Sequence, residues 1–436
     1  MNVILLSGGS GQRLWPLSND MRSKQFIKLF KRPDGTYESM LQRVYRQIKA
    51  VDPDAIVTIA TSQSQVPAIV NHLGHDVRVS IEPCRRDTFP AIALAAAFLH
   101  DAVGVSEDEV AVVCPVDPYV DDSYFHTMKQ MDEIAQRGDA NLVLMGIEPT
   151  YPCEKFGYII PKDKSHVSMV DRFKEKPDER AARQYIAEGA LWNGGVFAFK
   201  LRYVLEQARA RLNYTTYQDL FDRYDTLTKI SFDYEVVEKE PNIQVLRYGG
   251  AWKDIGTWNT LTEVMSENTW GPVILDGQCE RVYALNELDI PLLVMNMKDA
   301  IIAASPQGIL VTEREASVRL KQFADMVNRK ARFSEQAWGN YVVLDIGDMN
   351  LTARLDIKAG YNISAQSHAS REETWAVVKG RGRAVVDGKT IPLRPGVSVQ
   401  LPKGSVHELF AETEMTVIDV QAGEELTVEG KVTRTE

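Results

Sequence analysis

Cysteine is scarce in this chain: four residues in 436, Cys84, Cys114, Cys153 and Cys279, with no C-x-x-C pair among them. That spacing excludes a disulfide framework and predicts reduced thiols in a cytosolic protein. No apolar run approaches the roughly 18 to 20 residues of a membrane helix. The N-terminus has no charged region ahead of its short apolar stretch, so a strand is expected there and not a signal peptide. A basic excess is missing as well: 50 Lys and Arg face 60 Asp and Glu, a formal charge of −10. That balance excludes a broad nucleic-acid face, but not a nucleotide, which needs only a local cationic pocket. Internal repeats and low-complexity tracts are absent. What remains is an ordinary soluble composition, 44% hydrophobic and 25% charged, at a length that calls for two or three domains.

The most informative segment is the first. The apolar run Val3 to Leu6 stops at Ser7-Gly8-Gly9-Ser10-Gly11, with Arg13 and Lys24 beyond it. A buried strand emptying into a Gly-rich turn lets backbone N–H groups approach an anion without Cβ interference, and two nearby cations suit a polyphosphate. On these residues alone, a plain strand-to-helix connection stays open. Gly9-Ser10-Gly11-Gln12-Arg13-Leu14 lacks the third glycine of a dinucleotide fingerprint. No Lys-Ser or Lys-Thr follows at Walker spacing either. Hydride transfer and ordinary ATPase chemistry are therefore disfavoured.

Residues 1 to 265 alternate apolar runs with amphipathic stretches. Val3–Leu6, Ile56–Ala60 and Val110–Cys114 read as buried strands, with helices at Ala91–His100 and Met128–Arg137. The expected fold is α/β, Rossmann-like, with a mixed, mostly parallel sheet and its ligand at the carboxyl ends of the strands. Residues 266 to 335 read as a short connecting β segment followed by a helix near Ser317–Arg329. Residues 336 to 436 read as a small antiparallel β-barrel.

The loop pattern GG-S-G-x-R-L-x-P-L-S…K-Q closely resembles that of the mannose-1-phosphate guanylyltransferases, a family of sugar-1-phosphate nucleotidyltransferases. Further motifs recur in the family's order. Glu82-Pro83-Cys84-Arg85-Arg86-Asp87-Thr88 resembles E-P-x-G-R-N-T. Asp117 stands in a segment like L-P-A-D-H, Gly157 in F-G-Y-I and Glu175-Lys176 in F-x-E-K-P. Asn193 stands in a W-N-x-G motif, Asp233-Tyr234 at a D-Y helix start and Asp254 in W-x-D-V-G-[ST]-W. Each alone has a bland reading as a cap, turn or solvated charge run. The resemblance implies that Gly8, Gly9, Gly11, Arg13, Glu82 and Arg86 bind the nucleotide. It implies catalytic roles for Arg13, Lys24, Asp117 and Asp254, the two aspartates holding Mg²⁺. Gly157, Glu175, Lys176 and Asn193 would bind the sugar phosphate. Arg85, Asp87 and Phe89 depart from the family where base and ribose are expected, and Pro118 replaces a histidine.

The C-terminal segment carries the cupin pattern: Gly360, Gln366, His368, Glu373 and Gly380, then Gly396, Pro402, Gly404 and His407. It resembles the C-terminal part of bifunctional phosphomannose isomerase/guanylyltransferases. Strand alternation would put Gln366 and His368 on one face and His407 on a facing strand. The resemblance implies that Gln366, His368, Glu373 and His407 hold Zn²⁺ or Mn²⁺. Glu408 replaces the family's arginine, and Glu424 to Glu436 lacks its C-terminal motif, so mannose 6-phosphate isomerisation is not expected.

The expected activity is Mg²⁺-dependent transfer of a nucleotidyl group from GTP to mannose 1-phosphate, with no nucleic-acid or membrane partner. A homodimer is the oligomer the resemblance suggests. CTP or another sugar 1-phosphate would keep the chemistry and change the substrates. A sugar-nucleotide-binding regulatory protein with a metal-binding cupin is the alternative of another class.

Overall fold

The computed structural model describes residues 1–9, 12–19, 21–327, 331–424 and 426. They form two compact units: residues 1–9, 30–66 and 75–255 in the first, and 10–29, 67–74 and 256–436 in the second. No helix among the described residues is long and apolar enough to cross a membrane.

The first unit is built on a nine-stranded sheet. Its order is Arg78–Glu82, Ile56–Ser62, Asn2–Leu6, Val110–Pro115, Leu191–Lys200, Leu142–Ile147, Ile243–Tyr248, Val167–Lys174, Tyr158–Pro161. All run in one direction except Leu191–Lys200 and Val167–Lys174, which pair antiparallel with their neighbours. The sheet is thus mixed and mostly parallel, as the alternation of apolar runs and helices predicts. The central strands Asn2–Leu6, Val110–Pro115 and Leu142–Ile147 are near-continuously apolar because both of their faces are buried.

Helix Thr88–Phe98 shows how composition sets position. Every residue from Phe89 to Ala97 is buried, so the helix is apolar on all sides and lies within the core, against Ile4, Val113 and Phe232. Helix Asp122–Arg137 starts where the Asp121 carboxylate accepts from Ser123 N at 2.9 Å and ends at Gly138, whose φ of +79° closes the last turn. The helix expected from Ala91 begins three residues earlier, at Thr88, after the Asp87 cap.

The second unit contains a four-stranded sheet of Thr269–Trp270, Tyr283–Asn286, Ala300–Ser305 and Gly308–Glu313. Around 317 to 329 the expected helix is instead a 3₁₀ helix over Glu315–Phe323, with a single α turn at Ala324–Val327. The C-terminal part is an antiparallel β-sandwich of six and four strands, the jelly-roll form of a cupin. Its core includes Leu351, Leu355, Trp375, Leu401, Leu409 and Val417, set by alternation along each strand.

Candidate functional site

The carboxyl ends of the central strands gather the first unit's polar groups. Leu6 and Pro115 are register partners in parallel strands, so the chain through Gly8 and Gly9 and the chain through Asp117 leave the sheet at the same edge. Gly8 and Gly9 are exposed, and the Gly9 carbonyl accepts from Gln65 Nε2 at 3.3 Å. Gly11 lies outside the described residues.

Asp117 precedes the short strand Pro118–Val120. That strand pairs antiparallel with Trp252–Asp254, and the register sets Asp254 opposite Pro118. Two aspartates 137 positions apart in sequence thereby reach one cavity of about 210 Å³. Gly157, Glu175, Asn193 and Asp233 line the same cavity.

The local bonding of these four explains their identities. Asn193 donates from Nδ2 to Asp233 at 2.6 Å, accepts from Gly195 N at 3.1 Å, and its own N–H donates to Gly157 O at 2.8 Å. Gly195 has a φ of +70°, which lets the strand bulge after Asn193 and turn that side chain into the cavity. A Cβ on residue 157 would fall 2.5 Å from Glu175 Oε2 and 2.7 Å from Phe173 Cζ, so only glycine lets Glu175 approach this closely. Glu175 is buried, accepts from Lys176 Nζ through Oε1, and its Oε2 makes no hydrogen bond among the described residues. A buried acceptor oxygen aimed at a cavity suits a ligand hydroxyl. Lys176 has a left-handed backbone, φ +46°, and stands beside Tyr234. Phe156, Trp192 and Trp252 pack together in tilted and edge-to-face contacts, with centroids 5.0 to 6.2 Å apart.

Sequence reasoning places Asp233 in a motif without assigning it to the site. Burial, and next the charge of Glu175, push its carboxyl up to about 7. The D-Y helix start is the signal that could have found it, but the contact with Asn193 spans 40 positions and belongs to the tertiary structure.

At the expected base side, Glu82 is buried and accepts from Tyr224 Oη at 2.8 Å. Burial raises its carboxyl above the usual range. Arg86 donates to the Asp225 carbonyl. Two departures from the family are absorbed by packing. Asp87, at φ +70°, accepts from Thr88 N and caps the buried helix, and Phe89 is buried against Phe232. Arg13 and Lys24 belong to the second unit, each in a short 3₁₀ helix, Arg13 exposed and Lys24 half-buried.

In the cupin, ligand atoms of His368, Glu373 and His407 lie within 4.8 Å of one another. His368 Nε2 is 3.4 Å and His407 Nε2 3.5 Å from Glu373 oxygens. Two ligands about 2.1 Å from a common ion stand roughly 3 to 3.5 Å apart, so the set fits a divalent metal. His407 Nε2 is buried without a well-formed hydrogen bond, as a ligand nitrogen would be. Gln366 is the register partner of His407.

One expectation changes here. The strand Asn362–Gln366 ends at Gln366, so His368 reaches the cluster from the following loop and not from the same strand face. Glu408 follows His407 in the strand His407–Ala411, where alternation buries His407 and leaves Glu408 half-buried on the opposite face. Arg371 is instead the nearby cation: its Nε donates to Glu373 at 2.6 Å, and Nη2 is 3.1 Å from His368 Nε2. Burial opposes the charge on Glu373, but His407, Arg371 and His368 outweigh it and hold the carboxyl below its ordinary value.

A family model described as nucleotidyl transferase matches residues 2–269, and one described as mannose-6-phosphate isomerase C-terminal matches residues 325–436. The chain belongs to the nucleotidyl transferase family. As a nucleotidyltransferase with a C-terminal cupin it matches relatives along nearly its whole length. The xanthan biosynthesis protein XanB of Xanthomonas campestris pv. campestris (strain B100) is 28% identical over 455 residues, covering 96% of this chain and 95% of that one. The mannose-1-phosphate guanylyltransferase of Escherichia coli (strain K12) is 27% identical over 467 residues, with 96% and 95% covered. Among solved structures, the mannose-1-phosphate geranyltransferase from Thermus thermophilus superposes with a TM-score of 0.61 at 26% identity, over 75% of this chain and 99% of that one. The nucleotidyltransferase assignment thus rests on the N-terminal 268-residue match, and the aspartate-lined cavity falls inside it.

Proposed function

We propose that this nucleotidyltransferase moves a guanylyl group from GTP to mannose 1-phosphate. An oxygen of the sugar phosphate attacks the α-phosphorus, the bond from that phosphorus to the bridging oxygen breaks, and pyrophosphate leaves with the electron pair. GDP-mannose is the other product. The observation that carries the reading is the shared cavity of Asp117 and Asp254 with Glu175, Asn193 and Asp233. Two carboxylates beside a pocket of hydroxyl-binding groups are what a metal-assisted sugar-phosphate reaction requires.

Asp117 and Asp254 would hold Mg²⁺, which when bound neutralises phosphate charge. The chain's own groups do the rest. Glu175 accepts from sugar hydroxyls through its buried Oε2, Asn193 is oriented by Asp233 to do the same, and Gly157 makes room for both. Lys176 offers its ammonium to the acceptor phosphate. Gly8, Gly9 and Gly11 give N–H groups to the triphosphate, Arg13 and Lys24 give cations, and Glu82 and Arg86 face base and ribose. No covalent enzyme intermediate is needed, since the acceptor phosphate is itself the nucleophile, and catalysis reduces to positioning and charge stabilisation. The names of the relatives from E. coli and Xanthomonas support mannose and polysaccharide precursors.

In the cupin, Gln366, His368, Glu373 and His407 would hold Zn²⁺ or Mn²⁺ without isomerising mannose 6-phosphate. The metal is supported by the approach of ligand atoms of His368, Glu373 and His407 within 4.8 Å of one another, and the lack of isomerisation by Glu408 and by the absent C-terminal motif. We assign transfer to residues 1–265 and the metal to 336–436, joined by 266–335.

The test is a matrix of four nucleoside triphosphates against several sugar 1-phosphates, read as pyrophosphate. GTP with mannose 1-phosphate should give the highest kcat/KM. A better pair with CTP or another sugar would replace the specificity, and no pyrophosphate from any pair would refute the activity.

A further inference from the structure

A cavity of about 460 Å³ in the second unit has no place in the reaction above and shares no lining residue with the Asp117 cavity. Its volume is in the range of small-molecule sites. Arg22, Lys28, Asn71, Trp270, Asn340 and Lys358 are among its walls, drawn from stretches of sequence far apart.

Four cations, Arg22, Lys28, Lys358 and Lys379, and three carboxylates, Glu335, Asp356 and Glu414, line it; Asp356 is paired with Arg354 at 3.0 Å and Glu414 with Lys379 at 3.9 Å. Arg22 is buried and already neutralised: Nη1 is 2.6 Å from Glu287, and Nε is 3.1 Å from Glu335, whose other oxygen meets His72 at 2.6 Å. Lys28 and Lys358 share a single carboxylate, Glu335, which Arg22 and His72 already engage, so among the described residues the three cations Arg22, Lys28 and Lys358 face only Glu287 and Glu335. Lys358 donates to the side-chain oxygen of Asn71, a neutral partner, and stands 5.6 Å from the Tyr361 ring. Burial first, and then the charge of Lys28, hold its ammonium below the ordinary value, and Glu335 offsets this only in part. Two half-buried cations that repel each other across a cavity wall raise the energy of the empty site. An anion seated between them removes that cost. Trp270 and Asn340 are also among the lining residues, an indole of the kind that packs on rings and an amide with donors and an acceptor.

The geometry points to a second ligand site in the cavity between Lys28, Lys358 and Trp270, taking the phosphate ester of a ringed small molecule, either a sugar phosphate or a nucleotide. The two lysines bind the phosphate and the indole packs on the ring. Such a site lies outside the transfer reaction and would make the chain responsive to a phosphorylated metabolite.

Acylation of the full chain with acetic anhydride, read by peptide mass spectrometry, tests this with glucose 6-phosphate and GDP as probes. Saturating probe should slow modification of Lys28 and Lys358 about tenfold, the effect of occupying charge-assisted bonds. Exposed Lys389, on a cupin strand that does not line the cavity, should be unaffected. Protection by glucose 6-phosphate or by GDP identifies which source fills the site. In calorimetry, Lys28→Gln/Lys358→Gln should lose one binding event per chain while pyrophosphate release from GTP and mannose 1-phosphate stays at the wild-type rate. Unchanged acylation of both lysines with either probe overturns the site, and the wild-type footprint decides even where the double variant fails to fold. A transfer reaction absent in the wild type, with both lysines protected, would sink the proposed activity and leave this site standing.

Discussion

Replacing Asp233 with Asn should stabilise the first unit, and only above mildly acid pH. The carboxyl rises from its ordinary 3.8 to about 7, chiefly through burial and then through Glu175. The sign follows from linkage. Below about pH 4 both folded and unfolded chains hold the proton, and no difference arises. Between pH 4 and 7 the unfolded chain loses it while the fold keeps it, so wild-type stability falls as pH rises. Above pH 7 the cost is constant. The full shift corresponds to roughly 4 kcal/mol, and because Asp233 is half-buried the realised effect should be nearer 2 kcal/mol. Asp233→Asn removes the titration and retains a side-chain oxygen to accept from Asn193. The assay is urea unfolding from pH 4 to 9, followed by hydrogen-exchange protection of peptides from Leu191–Lys200, in the sheet that carries the site. The variant's advantage should grow across pH 4 to 7 and then level off. A difference that does not change with pH would refute the reasoning, because a packing effect has no proton in it.

Gly157→Ala places a methyl 2.5 Å from Glu175 Oε2 and should raise KM for the sugar phosphate about tenfold or more, with a stability loss of about 1 to 3 kcal/mol. Initial-rate kinetics and thermal melting separate the two effects, and an unchanged KM would remove Glu175 from the substrate's contacts. Asp254→Asn should lower kcat for pyrophosphate release by about 10²- to 10³-fold, with mannose 1-phosphate binding kept in calorimetry. Loss of sugar-phosphate binding in step with kcat would give Asp254 a different role. His407→Ala should weaken Zn²⁺ or Mn²⁺ binding by at least about tenfold in equilibrium dialysis, since it removes one ligand nitrogen. Equal metal content in variant and wild type would refute the cluster as a metal site.

The sequence alone determined the class of this protein. Runs such as Val110–Pro115 have one reading as buried strands, because a continuous apolar run between turns cannot be solvated on either face. The glycine turn after Leu6 and the period-two pattern of the cupin strands were legible for the same local reason. Departures at Asp87 and Phe89 were visible in the sequence as exceptions, and only packing showed that one caps a helix and the other fills its core. The pairing of strands 118–120 and 252–254, which brings Asp117 and Asp254 to one cavity, has no local signal, since register is set by both partners at once. The same holds for Asp233 on Asn193 and for Arg371 against Glu373. Local rules decide which elements form. Which side chains meet, and so which carboxyl carries a proton near pH 7, is decided by contacts between segments far apart in the chain, where burial and neighbouring charge act together.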